Sequence, residues 1–325
     1  GEAGLTHGID AHGFNYNISQ YDSFHASHPH TPLYGSEIAG AASTRGIYEN
    51  NLEKGYLSAY DVSHPQWGNR AETAWQAVVE RSFVFGAFVW TGFDYRGEPT
   101  SLKGPEINSG TMDVCGFSKD IYYYYQSWWT QKKVLHLFPH WNWQAKEGQE
   151  IEVWCYSNCE SVELLLNEKS LGIQKMPRNG HLEWKVKYHA GALRAIGTQS
   201  GTVIIETTVE TASAPVKVRL KPYQLVMNAD GEDMIPIAVE ILDWKNRLVP
   251  LADNEVVFSV KGPGKIAGVG NGDPGSYEPD KSDRRKAFNG RCMVLVQAME
   301  KPGEIKLTAK SPGLRYASIV LRSFF

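Results

Sequence analysis

Pro32-Leu33-Tyr34-Gly35-Ser36-Glu37 is a short run that opens on a proline and closes on a carboxylate. It reads as a strand whose charged end must lie on the rim of a sheet, because an unpaired carboxylate is seldom buried. Before it, Ile9-Asp10-Ala11-His12-Gly13-Phe14-Asn15-Tyr16-Asn17 reads as another short strand ending in polar residues, and Asp22 to Ser27 as a helical turn. After it, residues 70–82 have helical periodicity, with Ala71, Trp75, Val78, Val79 and Ser82 on one face. Phe83 to Trp90 is a continuous apolar run suited to a buried parallel strand. Asp120 is placed to cap a last helix containing Tyr122 to Thr130. Strands alternating with helices, with polar residues at the strand ends, form the pattern of an α/β barrel.

Near Pro139 the pattern changes. Trp141 and Trp143 sit two apart, as on one face of a strand, and short strands follow at 150–156, 162–166, 181–188, 191–198 and 202–209. Asn167-Glu168 and Arg178-Asn179-Gly180 supply turns, so this stretch predicts an all-β sandwich. Thr211-Ala212-Ser213-Ala214-Pro215 is a small-residue linker. A second β series covers 216–222, 235–242, 255–260, 264–269, 291–297, 303–309 and 315–321. The expected fold is therefore multidomain: a partial (β/α)8 TIM barrel over 1–137, then two immunoglobulin-like β-sandwich domains over 138–213 and 214–325.

Composition narrows the function. Among 325 residues the formal net charge is -3 and no Lys/Arg run stands out, so nothing recommends nucleic acid as a partner. No apolar run is long enough to span a bilayer, and Gly1 to Thr6 lack the marks of a signal peptide. Cys115, Cys155, Cys159 and Cys292 have neither metal-site spacing nor the density of a disulfide framework, and they read as mostly buried thiols. The scattered His12, His25, His28, His30 and His64 make no metal triad. Gly268-Val269-Gly270-Asn271-Gly272 has no βαβ unit around it and reads as turn glycines. No metal or cofactor is expected. The 10 Trp and 16 Tyr suit both sugar platforms and aromatic cores.

The candidate chemistry gathers at the strand ends. Active sites of α/β barrels lie at the carboxyl ends of the strands, where Glu37 falls. A carboxylate there can attack an anomeric carbon. Tyr16 ends the preceding strand, and its hydroxyl is placed to hold that carboxylate aligned. Trp90 ends the next one, where an indole can floor a sugar pocket, with Asp94, Arg96 and Glu98 in the loop over the mouth.

These segments carry a resemblance. The order Asn15-Tyr16-Asn17, Tyr34-Gly35-Ser36-Glu37, Phe88-Val89-Trp90-Thr91-Gly92-Phe93-Asp94-Tyr95-Arg96-Gly97-Glu98-Pro99, then Ile107-Asn108-Ser109-Gly110 through Asp120 and Tyr122 to Tyr125, is similar to the end of the catalytic barrel in glycoside hydrolase family 2. It looks closest to the β-galactosidase branch with extra carboxy-terminal β domains. Leu137 to Trp143, Val153 to Cys159, Val162 to Asn167, Asn228 to Asp233 and Gly262 to Gly272 resemble those domains. The resemblance implies the last three barrel strands, Glu37 as nucleophile, Tyr16 as its orienting tyrosine, and Trp90, Asn15, Asp94, Arg96 and Asn108 as substrate-binding residues. It implies a carbohydrate substrate, β-galactosides ahead of β-glucuronides and β-mannosides, and a periplasmic or secreted parent.

Retaining hydrolysis needs a second carboxyl group roughly 5–5.5 Å from the first. In the family it sits in an Asn-Glu pair on an earlier barrel strand, whereas Asn167-Glu168 and Asn254-Glu255 both fall in the β regions. The acid/base residue is thus expected on the remainder of the barrel, as a partner of this chain, which alone should be inactive. Open barrel edges should also favour self-association into homo-oligomers. The competing readings are a carbohydrate-binding or scaffolding module and a purely structural sandwich array. They do not account for Glu37, Tyr16 and Trp90 arriving in order at strand ends.

Overall fold

The computed structural model describes residues 8–98 and 106–325. The leader reading of residues 1–6, and Pro99 at the end of the Trp90 motif, lie outside them. Three parallel strands open the fold: β1 (His12–Asn15), β2 (Leu33–Ala39) after helix α1 (Tyr21–Ser27), and β3 (Val84–Trp90) after helix α2 (Ala71–Val79). Their spatial order is β1-β2-β3, so Glu37 rides on the middle strand. A two-stranded hairpin, β4 (Tyr95–Arg96) with β5 (Glu106–Ile107), and helix α3 (Asp120–Trp129) complete this half-barrel. Parallel strands need crossover connections, and the helices cover the sheet with Ala71, Ala74, Val78, Ile121, Tyr124 and Tyr125 in one shared core.

Two details of the helices differ from expectation. Val79 is 41% exposed, because the helix turns Ala71, Ala74, Ala77 and Val78 inward, which leaves Val79 on the outer side. Asp120 does not cap α3. It is the first helical residue after Lys119, and its carboxylate accepts bonds from Tyr48 Oη at 3.1 Å and His136 Nε2 at 2.6 Å.

Two pairs of sheets follow. In the first, the antiparallel strands Leu182–Lys187, Glu150–Ser157 and Leu135–Phe138 face a four-stranded sheet ordered Thr202–Glu210, Ala192–Gln199, Ser161–Leu166 and Lys169–Lys175. Alternation puts Ile151, Val153, Leu164, Trp184 and Leu193 in the shared core. Trp141 and Trp143 are not a strand face: the strand ends at Phe138. Trp141 is wholly buried and donates its indole N–H to His189 O at 3.0 Å, while Trp143 stacks on His140. The outer face of the three-stranded sheet packs Phe138, Trp154 and Tyr156 against the half-barrel, which joins the two units through one apolar core.

In the terminal unit, Lys217–Pro222, Met234–Leu242, Arg291–Ala298 and Gly264–Gly270 oppose a five-stranded sheet. That sheet includes Val226–Asn228 and Arg284–Lys286, two strands too short to carry an alternation signal. Ile235, Val239, Val294, Val296, Ile305 and Leu307 fill the space between the sheets. Asp243 locks the linker to this unit, accepting bonds from Ser213 N, Lys245 N, Arg247 N and the Arg247 guanidinium. Its burial favours the neutral acid, but the Arg247 cation and these donors outweigh burial and hold its pKa down at about 2. A carboxylate held below its unfolded value adds stability above about pH 4, lost as pH falls toward 2. Asp243→Asn is therefore expected to cost roughly 2 kcal/mol at pH 7 by denaturant titration, a difference that closes below about pH 2.

Cys155, Cys159 and Cys292 are buried thiols, and Cys115 is partly buried. Among the described residues no helix is long and apolar enough to cross a membrane, and no group of three His, Cys, Asp or Glu gathers as for a metal ion.

Candidate active site

The carboxyl ends of β1, β2 and β3 bring together residues far apart in sequence. Asn15 lies opposite Glu37 in the register, with an irregularity between Phe14 and Asn15. The chain then turns sharply at Tyr16, which has φ of 61°, a left-handed conformation unusual for a side-chain-bearing residue. Two hydrogen bonds hold that turn: Tyr16 N donates to Glu37 O at 2.7 Å, and Asn69 Nδ2 donates to Tyr16 O at 3.0 Å. The phenol is thereby aimed at the carboxylate, and Tyr16 Oη donates to Glu37 Oε2 at 2.6 Å. Burial raises the Tyr16 pKa far above its ordinary value, and the bond to Glu37 and its charge add to this, so the phenol stays a donor at neutral pH.

Past Glu37, β2 ends in a second left-handed residue, Ala39 at φ 69°, followed by Gly40 at φ 69°. Gly40 N donates to Trp90 O at 3.2 Å, which ties the end of β2 to the end of β3. A side chain at Gly40 would meet the Trp67 ring at 2.6 Å, so glycine is required there for packing as well as for φ. Trp67, half-exposed, lies with its ring centroid 4.5 Å from that of Tyr16. Trp90 is partly buried and meets Tyr95 edge-on at 5.8 Å; the Trp90–Thr91 peptide is cis. Tyr95 donates to Glu98, and the charges of Tyr95 and Glu98 both bear on Tyr16, so the 95–98 segment stands at the same mouth.

The remaining expected site residues divide. Asn15 is exposed beside Glu37, with its Oδ1 taking a bond from Ser36 Oγ at 2.6 Å. Arg96 is partly exposed on β4 and pairs with Asp280 of the terminal unit. Asp94 and Asn108 correct the expectation of a loop over the mouth. Both are buried, Asp94 under a 2.6 Å ion pair with the wholly buried Lys119 and a bond from Gly110 N at 2.8 Å. Asn108 donates to Gly55 O at 2.9 Å, and its own carbonyl accepts from Lys119 Nζ at 3.0 Å. A buried ammonium must be matched by acceptors, and these residues supply them. They brace the loops behind the site.

Sequence reading missed Trp67, Asn69 and Lys119. Trp67 had one signal, an aromatic in a Pro-to-Gly turn, Pro65-Gln66-Trp67-Gly68, where no core-forming period accounts for it. Asn69 and Lys119 had none, since their partners are set by tertiary contact alone.

Tyr16→Phe is expected to lower any turnover that depends on Glu37 by about a hundredfold, in kcat more than in KM, the size seen when one preorganised donor is removed. Steady-state kinetics of the purified variant check it. A loss under threefold would mean the phenol does not matter to the carboxylate.

Residues 218–320 match the Glycoside hydrolase family 2 C-terminal domain 5, and residues 148–205 match a domain of unknown function. The β-galactosidase BoGH2A of Bacteroides ovatus is 43% identical over 95% of this chain, and a putative β-glucuronidase of Formosa agariphila 31% identical over 93%. The chain spans 38% and 33% of the lengths of those two proteins. The crystal structure of a β-glycosidase from Bacteroides vulgatus superposes with a TM-score of 0.91 at 30% identity, covering 98% of this chain and 46% of that one. With a fold and relatives that agree along nearly its whole length, the chain belongs to glycoside hydrolase family 2 and corresponds to the carboxy-terminal part of its members.

Proposed function

We propose that this chain supplies the nucleophile side of the active site of a retaining β-glycosidase, with β-galactosides as substrate and Glu37 as the nucleophile. The observation that carries the reading is the 2.6 Å bond from Tyr16 to Glu37 at the carboxyl end of the middle parallel strand. A carboxylate held in one orientation beside an indole can bond the anomeric carbon as the glycosidic bond breaks and the aglycone leaves with a proton from the acid/base carboxyl, and water then cleaves the glycosyl ester. Trp90 and Trp67 supply the aromatic faces and Asn15 a polar contact, Arg96 stands at the rim paired with Asp280, and Asp94 and Asn108 act behind the site. The choice of β-galactoside rests on the 43% identity to a β-galactosidase; β-glucuronide is the next reading, from the Formosa relative.

In this reading residues 1–137 are the last three strands of a (β/α)8 barrel, and 138–213 and 214–325 are immunoglobulin-like sandwiches. The exposed Phe85 and Phe88 of β3, and the groove between β3 and α3 lined by Ala87, Val89, Tyr122 and Trp129, then face the remainder of the barrel. The acid/base carboxyl comes from that remainder, so the chain alone does not turn over glycosides. A carbohydrate-binding role for the first sandwich is disfavoured by Trp141, which is wholly buried and cannot serve as a sugar platform.

The test is covalent trapping. A 2-deoxy-2-fluoro β-galactoside with a good leaving group slows hydrolysis of the glycosyl ester, and mass spectrometry of the digested full-length protein should find the sugar on the Glu37 peptide. Label on another carboxylate would overturn the assignment. Robust hydrolysis of a chromogenic β-galactoside by this chain alone, abolished in Glu37→Gln, would overturn the need for the rest of the barrel.

A further inference from the structure

The terminal sandwich reaches the mouth of the half-barrel through one loop, residues 271–283, between two of its strands. Each part of that loop is fastened. At its start, the Arg45 guanidinium, paired at 2.6 Å with the wholly buried Asp113, donates to Asn271 O at 2.7 Å and to Phe288 O at 3.1 Å. Gly272 lies so close to Asp113 that a side chain there would sit 1.9 Å from its carboxylate oxygen. At its far end, the buried Arg285 organises the loop from inside, donating to Glu278 O at 3.2 Å, Val269 O at 3.0 Å and Asp280 Oδ1 at 2.7 Å. Val269 N donates to Asp280 O at 2.8 Å, which fixes the Asp280 backbone as well. The second oxygen of Asp280 is then presented outward, to Arg96 Nη1 at 2.5 Å.

Arg96 belongs to the segment that stands beside the candidate nucleophile. Its neighbour Tyr95 lies edge-on to Trp90 and donates to Glu98. We propose that Asp280 is a positioning residue for the active site, a carboxylate from the terminal sandwich that bridges two guanidiniums and holds the Tyr95–Glu98 segment against Trp90. This rests on the glycosidase reading above and extends it: the carboxy-terminal sandwich takes part in sugar binding without touching the sugar. Both members of the Arg96–Asp280 pair are partly exposed, and such pairs add little to stability. Breaking it frees a segment at the mouth more than it unfolds a domain.

The test uses full-length enzyme and an aryl β-galactoside. Asp280→Asn and Arg96→Gln are each expected to raise KM about fivefold and leave kcat within about twofold, because Tyr16 still aligns Glu37. The double variant should be no worse than about the more impaired single, since the bond between Arg96 and Asp280 is already lost in each. Arg96→Lys, which keeps a cation opposite Asp280, should recover most of the loss. Amide hydrogen exchange at 94–98 should quicken in Asp280→Asn and stay unchanged at 33–37, with the melting midpoint shifted by no more than about 2 °C. Multiplying KM effects in the double variant would mean that Arg96 meets the sugar itself, and would overturn the proposal. Unchanged KM with unchanged exchange would do the same. If Asp280→Asn leaves Arg285 too poorly matched to fold, Arg96→Gln read by exchange and KM decides the matter. Full turnover in Glu37→Gln would remove Glu37 from the nucleophile's role, and no turnover in the unaltered full-length protein would remove the glycosidase reading, while the exchange experiment would still judge the clamp.

Discussion

Glu37→Gln should abolish turnover of the full-length protein, with kcat on an aryl β-galactoside reduced about ten-thousandfold or more, the scale of loss when a covalent nucleophile is removed. Glutamine matches glutamate in shape, and its carbonyl oxygen can still accept the bond now made by Tyr16 Oη. Folding and substrate affinity should therefore change little, and the loss should fall on kcat. The physical reason is that a neutral amide oxygen cannot close an ester to the anomeric carbon, so the step is removed rather than slowed. Parallel kinetics and a melting curve separate this outcome from misfolding. Residual activity above about a hundredth, with the fold intact, would exclude Glu37 as the nucleophile.

The second large effect is structural. Lys119→Met should destabilise the half-barrel by about 3–5 kcal/mol at pH 7, because it strands a buried carboxylate. Lys119 Nζ serves three acceptors at once: Asp94 Oδ1 at 2.6 Å, Ser43 O at 2.6 Å and Asn108 O at 3.0 Å. Ser43 follows β2 and Asn108 follows β5, so one ammonium ties together the loops that leave the site. Burial raises the Asp94 pKa to about 7, with the Lys119 cation and Gly110 N–H opposing. A carboxyl whose folded pKa lies above its unfolded value is a growing cost as pH rises from about 4 through 7. The deficit of Lys119→Met should consequently be smallest below about pH 4, where Asp94 is neutral in both states, and grow as pH rises through 7, where Lys119 would otherwise hold Asp94 ionised. Guanidinium titrations at pH 4 and pH 9 measure the difference. An equal deficit at both would mean that lost packing, and not the stranded charge, is the cause.

The Lys119 cluster also marks where the sequence stops being readable. Glu37 and Tyr16 were legible because each stands within two residues of the carboxyl end of a short strand, and a polar residue at such a place has few structural reasons to be there. The strands of the terminal unit were legible because Ile235 to Val239 and Cys292 to Ala298 alternate buried with only partly buried residues. Asp94 was misread because acids in loops are usually solvated, and only tertiary contact with Lys119 shows otherwise. Lys169–Lys175 was passed over as a strand for a related reason: it is an edge strand, exposed at nearly every position, and so carries no apolar period. Trp141 and Trp143 carried an apparent period of two that belongs to a turn, because spacing of two residues is too short a sample to fix a conformation.

The left-handed backbone at Tyr16 and Ala39, one on each side of Glu37 in space, has a bearing on how this protein can be improved by breeding. Each conformation is disfavoured for a residue that carries a Cβ, by an amount of order 1 kcal/mol. A glycine at Ala39 would relieve part of that tension, so a screen that rewards heat tolerance alone has a ready exit there. Taking it would slacken the end of β2 where it meets Trp90, and the sturdier offspring would be the slower catalysts.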